Sequence, residues 1–175
     1  MMNTRLNNLA KIAFDEASLE LAGKQKNTGP DIEKYLSVFR KPMNINGNTD
    51  QYSNLNQGYS WCCAFVYYCC LQAGFNIDPK PIKDHRWTLA AVRTWFDWAN
   101  LEKTFYHVTD SLFHASPGDL VLFDHLLEKC ELDHIGIVTQ VNKNDLVCAE
   151  GAVNNRSGNF LRPINEHVRG FIRLK

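Results

Sequence analysis

The chain has 175 residues, 45% apolar and 22% charged, with 19 basic side chains against 19 acidic ones. That length and apolar share suit one globular domain that buries a core without staples, so residues 1–175 are read as a single domain. A net charge of zero excludes the basic footprint expected of a protein whose main partner is nucleic acid or anionic membrane.

Nowhere do apolar residues run to the roughly eighteen needed for a membrane span. Met1 to Gly23 mixes charged and apolar residues where a signal peptide would carry an apolar core. The expected location is cytoplasmic as synthesised. Leu6, Leu9, Ala10, Ala13, Phe14, Ala17 and Leu21 recur at helical spacing before Gly23, which predicts an amphipathic helix from about 4 to 22. After Gly29-Pro30, Asp31 to Phe39 reads as a second short helix that buries Tyr35, Leu36 and Phe39.

Lys41 to Gly58 has no period and is read as a polar loop, rich in Asn and broken by Gly47 and Gly58. Its side-chain oxygens suggest calcium, but Asp50 is its one acid, and we assign no metal and no cofactor. Trp61 to Ala73 is apolar over a helical length and Gly74 stops it. Leu89, Val92, Trp95, Phe96 and Ala99 then predict a helix over about 86–99. Past Ser116-Pro117-Gly118 the pattern turns to short strands: Asp119 to Phe123, His134 to Val141, Leu146 to Ala149 and Gly170 to Leu174. Asn142 to Asp145 closes a hairpin, and helices followed by an antiparallel meander make an α+β fold.

Six cysteines invite a disulfide reading, yet Cys62, Cys63, Cys69 and Cys70 share the predicted third helix. Residues seven apart on a helix rise about 10 Å, beyond the roughly 7 Å that a disulfide spans. Bridges to Cys130 or Cys148 stay open, and the thiols are read as reduced. Cys62 opens the helix, where unpaired amides and the positive end of the dipole favour a thiolate. The same amides suit an oxyanion hole. Cys62 and Cys63 lie about 100° apart on the helix and cannot both face one cleft; Cys62, earlier in the helix and directly after Trp61, is preferred as nucleophile.

Of six histidines, His134 heads a strand-like run, Asp133-His134-Ile135-Gly136-Ile137-Val138, in which Gly136 permits close approach of neighbouring backbone. His85, His107, His114, His125 and His167 sit in loop-like or polar contexts and read as surface residues. An imidazole base needs a partner that fixes its tautomer. Glu150, after Leu146-Val147-Cys148-Ala149, ends the neighbouring strand, with Gly151 as its stop.

Trp61-Cys62-Cys63-Ala64-Phe65-Val66 resembles the Trp-Cys-Ala-Ala-Phe-Val of the CHAP group of papain-like cysteine amidohydrolases and peptidases, differing only at Cys63. Val92 to Trp98, Pro117 to Phe123, His134 to Val138 and Val168 to Leu174 are similar to later segments of that family, in the same order. The resemblance implies a papain-like fold and hydrolysis of amide bonds in bacterial cell-wall peptidoglycan through Cys62, His134 and Glu150. The family often carries Glu-x-Asn, whereas this chain has Glu150-Gly151-Ala152, so Asn154 stands as the alternative third partner.

Trp61 and Asn154 are assigned to substrate contact, and residues 124–132, with Glu128, Cys130 and Glu131, to an added loop beside the histidine. Peptidoglycan or its peptide fragments would be the partner, reached by lysis or injection, and a cognate inhibitor protein is compatible with that role. Two rivals stay open: a silent binding or inhibitor protein on the same fold, and a thiol acyl hydrolase or transferase with another substrate.

Overall fold

The computed structural model describes residues 4–175. Four helices precede a six-stranded antiparallel sheet, an α+β arrangement. Helix α1 (Thr4–Ala17) buries Leu6, Leu9, Ala10, Ala13 and Ala17 along one stripe. It stops before the predicted residue 22. Ser18 Oγ donates to the Phe14 carbonyl, and Glu20 takes a left-handed φ of 48°. The chain then runs extended, with the Leu21 amide on Ser157 Oγ and the Gly23 amide on the Asn155 carbonyl. Phe14, expected in the core, is 48% exposed.

Helix α2 (Glu33–Gly47) runs well past the predicted end at Phe39 and contains Pro42. Much of the supposed loop is therefore helix. A proline inside a helix removes one donor, and here neighbouring bonds hold the helix together. Buried Arg40 grips both Glu33 oxygens at 2.6 and 2.7 Å and the carbonyls of Tyr52, Asn54 and Gln57. Asn48, left-handed at φ 47°, ends α2 by donating its amide to the Asn44 and Ile45 carbonyls. A short 3-10 turn, Gln51–Ser53, leads on to Gly58.

Helix α3 (Cys62–Gln72) is buried on nearly every side and lies against the sheet's third and fourth strands. Helix α4 (Val92–Leu101) begins six residues later than predicted. Leu89 is fully buried but lies in the preceding turn, where its amide bonds Pro79 and its carbonyl accepts the Trp95 indole.

The strands are β1 (Phe105–His107), β2 (Leu120–Phe123), β3 (His134–Val141), β4 (Asp145–Val153), β5 (Arg156–Pro163) and β6 (Val168–Ile172), in the order β1-β6-β2-β3-β4-β5. Two of these, β1 and β5, went unpredicted. Strand β4 also continues through Gly151 rather than stopping there. One face of the sheet, with Leu120, Leu122, Ile135, Ile137 and Ala149, joins the helices in the main core. The other carries a smaller cluster that includes Val121, Phe123, Val138, Leu146, Cys148 and Phe171.

Candidate active site

All six cysteines are free, and only Cys130 is exposed. Cys62 is the first residue of α3, and no side chain caps that helix start. The leading amides of an α-helix have no partner within it, so the thiol shares its position with unpaired donors. Ser60 Oγ stands 3.9 Å from Cys62 Sγ.

His134 begins β3 and is 1% exposed, while Glu150 on β4 is fully buried. The register Ile137↔Ala149 sets Gly136 opposite Glu150, with His134 two positions along on the same face. A Cβ at position 136 would lie 2.8 Å from Glu150 Cγ. Glycine therefore leaves the space through which the carboxylate reaches diagonally to the imidazole. His134 Nε2–H donates to Glu150 Oε2 at 2.8 Å, and the imidazole's other hydrogen-bond partner is the Cys62 thiol.

Arg162 completes the arrangement from β5. Its Nε donates to Glu150 Oε1 at 2.8 Å and its terminal nitrogen to Oε2 at 2.7 Å, a two-pronged grip. The guanidinium lies 5.0 Å over the Phe160 ring, which spaces it along the strand. Sequence reading missed Arg162 because β5 alternates polar and charged residues with few apolar ones, so no period marked it as a strand. The signal available was a basic residue soon after a predicted buried acid.

The charges explain the titration. A hydrogen bond from the Cys63 thiol, opposed by burial and reinforced by the His134 imidazole, pulls the Cys62 pKa well below the ordinary thiol value. Burial disfavours a charged His134, yet Cys62 and Glu150 outweigh it and raise its pKa to about 9. Burial pushes Glu150 upward, but Arg162 and then His134 hold it below the usual carboxylate value. Thiolate, imidazolium, carboxylate and guanidinium thus form a closed series of alternating charges. A thiolate beside an imidazolium is suited to nucleophilic attack on a carbonyl.

Trp61 does not meet solvent. It is fully buried, stacks on Tyr35 with centroids 5.6 Å apart, and donates its indole N–H to Asn155 Oδ1 at 3.0 Å. The assignment to substrate contact is corrected: Trp61 fastens the start of α3 to the β4–β5 turn. Gly151 permits this closeness, since a Cβ there would lie 2.5 Å from Phe65 Cβ and 2.8 Å from the Trp61 ring. Asn154 is exposed at that turn with φ 49°, and among the described residues no hydrogen bond joins it to His134. Glu150, not Asn154, holds the imidazole.

Among the other histidines, His85 is half-buried rather than superficial, with Nε2 3.0 Å from Asp97 Oδ2. The 124–132 loop is pinned through Asp133 Oδ2, which accepts the Leu127 and Glu128 amides, and through Asp124, which accepts the Leu132 amide. No three His, Cys, Asp or Glu side chains among the described residues are grouped to hold a metal. No described helix is long and apolar enough to cross a membrane.

No curated protein and no solved structure matches the chain. A family model, the CHAP domain, matches residues 54–152, a span that holds Cys62, His134 and Glu150 and stops short of Arg162. That span is more than half of the sequence, and the chain belongs to the CHAP family, which points to hydrolysis of the amidase or peptidase kind.

Proposed function

We propose that the protein is a cysteine amidase or endopeptidase that cuts amide bonds in peptidoglycan, with residues 1–175 acting as one papain-like catalytic domain. The observation that carries this reading is the buried His134–Glu150 contact at 2.8 Å beside a thiol whose pKa is strongly depressed. Family membership supports the choice of cell-wall substrate.

In the mechanism, the Cys62 thiolate adds to the amide carbonyl carbon, and the oxyanion is met by amides at the start of α3. His134 then passes its Nδ1 proton to the leaving nitrogen as the C–N bond breaks, leaving a thioester and a neutral imidazole. A water molecule gives that imidazole a proton and adds to the thioester, and the C–S bond breaks. The products are a carboxylic acid and the restored thiolate–imidazolium pair. Glu150 keeps the ring oriented and stabilises its charge, and Arg162 keeps Glu150 ionised.

Mass spectrometry of purified peptidoglycan after incubation tests the proposal. The wild type should release fragments with new amino and carboxyl ends, and Cys62→Ala should release on the order of 10⁴-fold less. Equal release by Cys62→Ala would remove Cys62 as the nucleophile.

A further inference from the structure

Attack by a thiolate on a carbonyl moves negative charge from sulfur to oxygen, and every donor already aimed at that oxygen lowers the barrier. The amides that open α3 are one source of donors. The side chains that lead into α3 are another, and most of them are committed elsewhere. The Tyr59 hydroxyl donates to the Leu36 carbonyl, Gln57 Nε2 to the Gly58 carbonyl and the Trp61 indole to Asn155 Oδ1. The Cys63 thiol is fully buried and donates toward Cys62.

Ser60 differs from all of these. It is exposed, it lines an open cleft of about 440 Å³, and among the described residues its hydroxyl has no partner except Cys62. Ser60 Oγ stands 3.9 Å from Cys62 Sγ, a long contact for a hydroxyl on sulfur. The distance suits a different acceptor. In the tetrahedral adduct the oxyanion sits about 2.5 Å from the sulfur, and a donor belongs roughly 2.7–3.1 Å from that oxygen. Those two distances together exceed the 3.9 Å separation, so one position of the oxyanion satisfies both. A serine hydroxyl also rotates to suit its acceptor, so its proton can turn to the oxygen as charge develops there.

We propose that Ser60 is a further catalytic residue, whose Oγ–H donates to the oxyanion formed when Cys62 attacks. The inference rests on the thiol-hydrolase reading of the site. Ser60 keeps its proton throughout, and no covalent bond forms or breaks at it. Its hydrogen bond strengthens as charge reaches the oxygen and weakens when the carbonyl re-forms, so it favours the transition state over the bound substrate. Acylation and thioester hydrolysis both pass through such an oxyanion, and Ser60 serves both.

Two reactions of the same thiol test this, one that builds an oxyanion and one that does not. p-Nitrophenyl acetate acetylates a reactive thiol through a tetrahedral adduct and releases nitrophenolate as a burst. Iodoacetamide alkylates the thiol by displacing iodide from a saturated carbon, and no oxyanion forms. Ser60→Ala should slow the burst on the order of 10²-fold and leave alkylation of Cys62 nearly unchanged across pH. Ser60→Thr, which retains a hydroxyl, should recover most of the burst rate. Release of peptidoglycan fragments by Ser60→Ala should fall with the burst, through kcat rather than KM.

A burst in Ser60→Ala at the wild-type rate would overturn the role of Ser60 and leave Cys62 as the nucleophile. Equal slowing of acetylation and alkylation would also overturn it, because Ser60 would then act on the thiolate and not on the oxyanion. A burst that persists undiminished in Cys62→Ala would instead remove the thiol reading itself, and Ser60 with it.

Discussion

The two ends of α3 hold the same residue type under the same burial, and they differ in chemistry. Cys62 at the first turn is pulled well below the ordinary thiol pKa, whereas Cys69 and Cys70 near the last turn are pushed up, chiefly by burial. Cys62 is only 3% exposed and the other two are fully closed. Burial alone therefore makes a thiol inert. The first turn departs from that rule because donors and a cation surround the sulfur, and the last turn offers none of comparable strength.

Removing the cation is the strongest way to break this contrast. His134→Gln should return Cys62 toward the behaviour of Cys69 and lower hydrolysis by roughly 10²–10⁴-fold. The check is iodoacetamide labelling against pH. In the wild type, Cys62 should react below pH 7, where a free thiol of pKa about 8.5 is almost wholly protonated, and the variant should lose that reactivity. Hydrolysis by the wild type should hold from the depressed Cys62 pKa upward and fall above about 9, as His134 loses the proton it gives the leaving amine. Activity that climbs steadily through that pH would contradict the ion pair.

The same contrast explains what could be read from the sequence. Cys62 was legible because an apolar run with a helical length has a visible first residue, and His134 because an ionisable ring stands out at the head of an apolar strand. Gly136 was legible as a point of close approach, although the neighbour proved to be the Glu150 side chain rather than backbone. Strand β5 was not legible, since its alternation is between polar residues, and Arg162 was hidden with it. The extension of α2 through Pro42 was hidden for a different reason. Arg40, Glu33 and three distant carbonyls sustain it, and such long-range bonds leave no local period. Trp61 misled because its place beside the nucleophile says nothing about which way its ring turns.

A smaller effect comes from Arg162. Glu150 is buried and keeps its charge through Arg162 and His134, so Arg162→Gln leaves a closed carboxylate with half its support. Loss of one partner of a buried pair costs about 3 kcal/mol, which urea unfolding should register. The sign follows from the depressed Glu150 pKa. Its stabilising contribution is present above the unfolded carboxylate value and fades as pH falls through the folded one, so the variant's deficit should be largest near neutral pH and shrink in acid. The acid limb of the activity profile should also move upward. Arg162→Lys keeps the charge without the two-pronged grip and should recover part of both effects. A merely structural role would leave the pH profile in place.

The finest test concerns the neighbouring thiol, where this chain has Cys63 in place of the family's usual alanine. Cys63 is fully buried, its own pKa is raised chiefly by burial, and it donates its S–H toward Cys62. Cys63→Ala removes that donor and one sulfur from the core, a small cavity worth about 1 kcal/mol. The Cys62 pKa should rise, yet remain below the ordinary thiol value, because an S–H is a weak donor while the His134 imidazolium acts with a full charge at close range. Hydrolysis near neutral pH should therefore change by less than about threefold, with labelling of Cys62 at acid pH showing the larger difference. A Cys63→Ala variant whose Cys62 labels like a free thiol would transfer the contrast between the two ends of α3 from the imidazole to the neighbouring sulfur.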